Sequence, residues 1–362
     1  MGDALISADE ALNLIATKEH SVKCVDVRSE GEVKSGAIPK LENLPILNDS
    51  ERHQVGLCYK QSGQRAAIEL GHQLVDSHRE QLVEQWRAHL RGAEWPLITC
   101  WRGGLRSETA AQWIRSTGQN VIRIDGGTKA LRSELLKEFG RLPRFLVLAG
   151  PTGSGKTRLM VKSRRPMIDL EQFANHRGSA FGTMLNNPQP SQITFENQLA
   201  LQLRFLRLHR PTDAGDGCAL IEDESHSIGR IHLPLTIMHA IQKSPIIRLK
   251  IDIERRTQNI FDEYVVEPQR SGMDRRQLLD HFASCLARIQ SKLGGQMYKT
   301  ILAHMTAAFE GDDHGLHREW IRLLLEKYYD KAYAYSESKW PREVAFEGDE
   351  SACLNWIQTR YV

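Results

Sequence analysis

The chain has 362 residues, 41% hydrophobic and 26% charged, a length that predicts two or three domains, each able to bury a core. Lys and Arg number 48 against 45 Asp and Glu, a net charge of +3, which permits an RNA partner without demanding one. No apolar run approaches the roughly 18 residues needed to cross a bilayer. The start lacks the basic and apolar regions of a signal peptide, so a cytoplasmic protein with no membrane association is expected.

The first third predicts alternating strands and helices. Val22–Arg28 reads as a strand and residues 64–91 as one long helix. Pro96–Cys100 is a strand, Ser107–Ser116 a helix, Asn120–Ile124 a strand and Thr128–Glu138 a helix. Strands separated by helices predict a parallel α/β sheet. The best boundary is Gly140–Pro143, giving domains 1–142 and 143–362. Phe145–Ala149, Ala219–Ile221 and Pro245–Asp252 read as buried strands of the second domain. Beyond Glu254 the pattern is helical.

Gly150-Pro-Thr-Gly153-Ser154-Gly155-Lys156-Thr157 fits the G-x-x-x-x-G-K-[ST] P-loop at every fixed position, between an apolar strand and a helix. Its glycines let backbone amides converge on phosphate oxygens at a helix start. Lys156 adds a positive charge, and the Thr157 hydroxyl can ligate Mg²⁺. Asp223, or its neighbour Glu222, ends the Ala219–Ile221 strand, so Thr157 and Asp223 are the expected metal ligands. The motif predicts binding of a diphosphate and leaves open whether that is ATP.

Six cysteines are scattered without a CxxC pair, which argues against a disulfide framework or a zinc site. Cys100 stands apart. In Cys100-Trp-Arg102-Gly-Gly-Leu-Arg106-Ser107 it ends a strand and precedes glycines and a helix start. Loop amides, the helix dipole and Arg102 or Arg106 would favour the thiolate, the nucleophilic form, and would stabilise an anion held there.

Asp26-Val-Arg28, Glu32, Gly36–Pro39, the cysteine loop and Asp125-Gly-Gly127 together resemble a rhodanese domain. The Cys-x5-Arg spacing is one residue longer than the usual single-domain form. It also matches cysteine phosphatases, so chalcogen transfer and phosphate ester hydrolysis both stay open on that loop alone. A third possibility is a non-catalytic module in which the first domain only docks a partner.

The two modules in this order resemble the tRNA 2-selenouridine synthases. Val55–Lys60, His176–Gly182, Phe195–Asn197 and Glu222–Ser225 add to the likeness. The resemblance implies a tRNA partner carrying 2-thiouridine at the wobble position. The sulfur would be alkylated by geranyl diphosphate, then replaced by selenium from selenophosphate. It implies Cys100, Arg106 and Arg102 as catalytic residues and the P-loop with Arg177 as the phosphate site. Mg²⁺ is expected, with no tightly bound organic cofactor, and the enzyme that supplies selenophosphate is a possible partner.

Weaker candidates remain. Arg204 and Arg207 lie on a helix over 196–210 and could touch phosphate. Lys162–Arg165, Arg255-Arg256 and Arg275-Arg276 could meet an RNA backbone. For Tyr328, Tyr329 and Tyr333, core packing is favoured over base stacking.

Overall fold

The computed structural model describes residues 4–18, 20–209 and 218–360. They form two compact units: Met1–Leu142 with Pro190–Arg210, and Pro143–Gln189 with Pro211–Val362. Each unit is built on a parallel sheet of five strands with helices around it, the α/β architecture expected. Among the described residues no helix is long and apolar enough to cross a membrane.

In the first unit the strands are β1 (Leu5–Ile6), β2 (Val22–Asp26), β3 (Leu41–Asn43), β4 (Trp95–Thr99) and β5 (Ile122–Ile124), in spatial order β1-β5-β4-β2-β3. β4 lies between β2 and β5, so Cys100 follows the middle strand, where open parallel sheets place their ligands. The long helix expected over 64–91 is differently cut. One helical stretch, Asp49–Asp76, is broken by Gly63 at φ 82°, and a second helix covers Arg79–Leu90. Only glycine enters that φ region without strain.

The helix Gln192–Leu208 belongs to the first unit, although a simple break after residue 142 puts it in the second domain. Ala200 and Leu201 enter the cluster of Leu12, Ile15 and Leu131. Arg204 is buried, donating to Glu138, to Asp9 and to Asn13 at 2.9–3.1 Å. Arg207 also donates to Glu138. These arginines are structural, which corrects their candidacy as phosphate ligands.

In the second unit β6 (Arg144–Ala149), β7 (Met167–Ile168) and β8 (Cys218–Glu222) precede a small antiparallel hairpin of β9 (Ser227–Ile228) and β10 (Ile231–His232). β11 (Ile246–Leu249) and β12 (Val344–Gly348) complete the main sheet in the order β12-β11-β6-β8-β7. Between β11 and β12 the chain is helical, with its own core around Phe282, Trp320 and Met305. Two π-helical turns interrupt it, Asp262–Val266 and Leu325–Tyr329. Such turns often sit at functional sites, and here each sends a tyrosine, Tyr264 and Tyr329, to the cavity over the P-loop.

Candidate active sites

Cys100 sits at the C-terminal end of β4, buried, with Sγ 3.2 Å from Ser107 Oγ. The loop after it is tied from one side. Thr128 N donates to the Cys100 carbonyl, Lys129 N to that of Trp101 and Arg123 to that of Gly103, at 2.8–3.0 Å. Gly127, at φ 63°, makes this approach possible, because a Cβ there would lie 2.3 Å from both Cys100 O and Gly103 N. The loop then runs into the Leu105–Ser116 helix, whose N-terminus favours an anion beside the thiol.

Arg106 is positioned by Glu32. Two hydrogen bonds of 2.5 and 3.0 Å join guanidinium and carboxylate. The same carboxylate accepts from Ser29 N, capping the Glu30–Ser35 helix. Burial pushes the Glu32 carboxyl up, but the hydrogen bonds and charge of Arg106 more than offset it and hold the group down at about 2. Arg102 is exposed on the loop. Asp26 and Arg28 form a buried pair at 2.6 Å that shapes the end of β2.

The P-loop has the geometry its sequence predicts. Gly153 and Gly155 take φ 80° and 79°, and Lys156 opens the Lys156–Ser163 helix with Nζ 3.1 Å from the Gly150 carbonyl. Helical residues brace the loop: Arg256 donates to Thr152 O and Asn259 to Gly153 O. Ser154 is buried with no partner for its hydroxyl, an orphaned group that an anion in the loop would satisfy. A cavity of about 330 Å³ lies over the loop, lined also by Arg177, Tyr264 and Tyr329. Arg177 donates to Glu263 O at 2.7 Å and lies 4.6 Å from the Tyr264 ring centre. Arg177, which the resemblance implies as a phosphate ligand, lines the same cavity as Lys156.

The expected metal pair needs correction. Thr157 Oγ1 donates to Glu222, not Asp223, at 2.6 Å. Asp223 is held by both terminal nitrogens of Arg342, at 2.7 and 2.6 Å. Successive strand residues face opposite ways, so only one of two adjacent acids can meet Thr157. Glu171 and Glu224 line the cavity with Lys156. Burial, then Glu222 and Glu224, push the Glu171 carboxyl up to about 9. Burial and Asp169 push Glu222 up to about 7, and burial with Glu222 pushes Glu224 up to about 8. Crowded, dry carboxylates beside a hydroxyl are the hard oxygen donors that Mg²⁺ prefers. Thr157, with the fully buried Glu222 bonded to it, is where such an ion would be held.

The basic clusters are largely committed within the protein. Arg256 is buried against Asp330, Lys162 pairs with Glu350, and Arg275 and Arg276 pair with Asp312 and Asp280. Sequence reasoning missed Glu171 and Arg342, and it gave Glu32 and Glu224 no role beyond their place in the resemblances. A lone acid or base carries no periodic signal, and only contact reveals its partner.

The profile described as the tRNA 2-selenouridine synthase AAA domain matches residues 143–362. Curated relatives named tRNA 2-selenouridine synthase are similar over nearly their whole length. That of Shewanella denitrificans is 39% identical, covering 92% of this chain and 93% of its own. That of Hahella chejuensis is 38% identical, covering 92% and 90%. That of Pseudomonas syringae pv. syringae is 36% identical, covering 98% and 99%. A cysteine loop at a helix start, a P-loop and this end-to-end similarity lead to one conclusion: the chain belongs to the tRNA 2-selenouridine synthase family of enzymes.

Proposed function

We propose that the protein replaces the sulfur of wobble 2-thiouridine in tRNA by selenium, through an S-geranyl intermediate. The observation that carries this reading is the pairing of an intact Cys100 loop with an intact P-loop in a chain similar throughout to enzymes of that name. A phosphatase built on Cys-x5-Arg draws no support from those relatives.

In the first step the thiouridine sulfur bonds C1 of geranyl diphosphate, the C1–O bond breaks, and diphosphate and the proton of the base leave. The P-loop amides, Lys156 and Arg177 suit the departing diphosphate, since charge developing on a leaving group is what preorganised donors stabilise. Mg²⁺, held by Thr157 and Glu222, would supply further neutralisation of that charge. Alkylation turns a poor leaving group into a better one.

In the second step selenium from selenophosphate bonds C2 of the base and the C2–S bond breaks. Geranylthiol leaves with a proton, and water cleaves the Se–P bond to release phosphate. Cys100 is the residue proposed to handle selenium, with Arg106, Arg102 and the loop amides holding the anion.

Mass spectrometry tests the scheme: 2-thiouridine tRNA is incubated with geranyl diphosphate and Mg²⁺, then with selenophosphate. Lys156→Ala should block the geranyl adduct, and Cys100→Ser should block only the selenium exchange. An unchanged base with wild-type protein would overturn the reading.

A further inference from the structure

The first unit contains a cavity of about 620 Å³ that neither step above uses. It lies beside the cysteine loop. On one wall Ala67, Gly71 and Val75 recur every four residues along one face of the Asp49–Asp76 stretch. On another, Leu105, Thr109 and Trp113 do the same on the helix that begins at the loop. Gly71 keeps this wall low, since a Cβ there would meet only Val55, at 3.8 Å.

Three observations say what fits. The size lies within the roughly 300–1,000 Å³ of small-ligand sites, and the walls are mainly aliphatic and aromatic, which suits a chain without polar groups. Cys100 belongs to the same apolar cluster as Val75, with Val55 and Trp113 packed against it, so the cavity runs up to the thiol's surroundings. Its lining also includes Lys60, a cation that suits a ligand borne on a polyanion, beside Arg52 and Arg106, which pair with Glu32. Leu57 and Tyr59, 43% and 58% exposed, leave apolar surface open beside them.

We propose that this cavity binds the ten-carbon prenyl group of S-geranyl-thiouridine tRNA during selenium exchange. The inference rests on the two-step reading above. As the C2–Se bond forms and the C2–S bond breaks, the leaving geranylthiol is already seated in an apolar slot. Burial of its chain then helps hold C2 against the cysteine loop, remote binding energy serving the reacting centre. The P-loop holds the diphosphate of the first step; this cavity serves the second.

The test bypasses the first step. Synthetic anticodon stem-loops bearing S-geranyl- or S-methyl-2-thiouridine are given selenophosphate under single-turnover conditions, and selenouridine is measured by mass spectrometry. Two variants are compared with wild type: Ile68→Trp, which fills the cavity, and Leu57→Asp, at an exposed position where the fold tolerates charge. Each should slow conversion of the S-geranyl substrate about tenfold or more and leave the S-methyl rate unchanged. Wild-type rates on S-geranyl substrate in both variants, or equal loss on both substrates, would overturn the assignment. So would loss in the variants of any self-association that wild type shows in sedimentation, with S-geranyl conversion intact, which would make the cavity a self-association face.

If wild type converts neither substrate, the two-step reading falls, and binding decides the cavity separately. Calorimetry with the S-geranyl-2-thiouridine nucleoside should show binding to wild type and loss in Ile68→Trp. No binding to wild type would overturn the inference as well.

Discussion

Glu32 and Arg106, 74 residues apart in the chain, meet in a two-point ion pair with separations of 2.5 and 3.0 Å. The carboxylate caps one helix while it fixes the guanidinium at the start of another. Arg106 is thus held at the cysteine loop before any substrate arrives. Preorganisation of this kind lowers the cost of gripping an anion.

Glu32→Gln should therefore weaken selenophosphate use without touching the P-loop. The KM for selenophosphate should rise and selenium exchange slow by about 10²-fold, while geranyl adduct formation stays at the wild-type rate. Steady-state kinetics of each step separately checks this. Because the Glu32 carboxyl is held near 2, the stability it contributes is present above its ordinary value of 4.5 and is lost only as pH falls through 2. Exchange should accordingly show no inflection near pH 4 from this pair.

The carboxylates around Lys156 predict the opposite sign. Glu222, Glu224 and Glu171 are raised from 4.5 to about 7, 8 and 9. The stability they contribute is full below 4.5 and is lost as pH rises through those values, because the folded state binds the extra protons. Mg²⁺ held at Thr157 and Glu222 would compete with these protons. Its stabilisation, about 2.7 kcal/mol at a hundredfold excess over Kd, should be larger at pH 9 than at pH 6 in thermal unfolding. Equal Mg²⁺ increments at both pH values would contradict the assignment, and Glu222→Gln should shrink the difference.

Thr157→Val tests the same site by another route. It removes the hydroxyl that bonds Glu222 and keeps the side-chain shape. Diphosphate binding through Lys156 should survive, while the Mg²⁺ dependence of adduct formation weakens about tenfold or more. Titration of adduct formation with Mg²⁺ is the readout.

Glu138 is fully buried and accepts from both Arg204 and Arg207. Glu138→Gln leaves a buried guanidinium short of charge, a change that costs about 3–5 kcal/mol. Chemical denaturation should show this loss in the unfolding of the first unit. Loss of P-loop activity with normal first-unit stability would contradict it.

Local signals determined much of this protein. The P-loop follows from its glycines and lysine, since φ near 80° at Gly153 and Gly155 is a conformation only glycine takes freely. The Cys100 loop, both parallel sheets and the order of the two modules were likewise legible, because strand and helix periodicities repeat within a few residues. Short strands such as β1 and β3 carried too few residues for a pattern, and the helical run before Gly63 and the break at residues 77–78 went unread. Tertiary structure decided what depends on partners far along the chain. It turned Glu222 rather than Asp223 toward Thr157, gave Arg204 to Glu138, and packed Gln192–Leu208 on the first unit. It also set two helix faces apart to leave a largely apolar cavity beside the cysteine loop. Such pairings are fixed by burial, where a charge must find its counter-charge and an apolar face its cover, and neither is written in the spacing of residues.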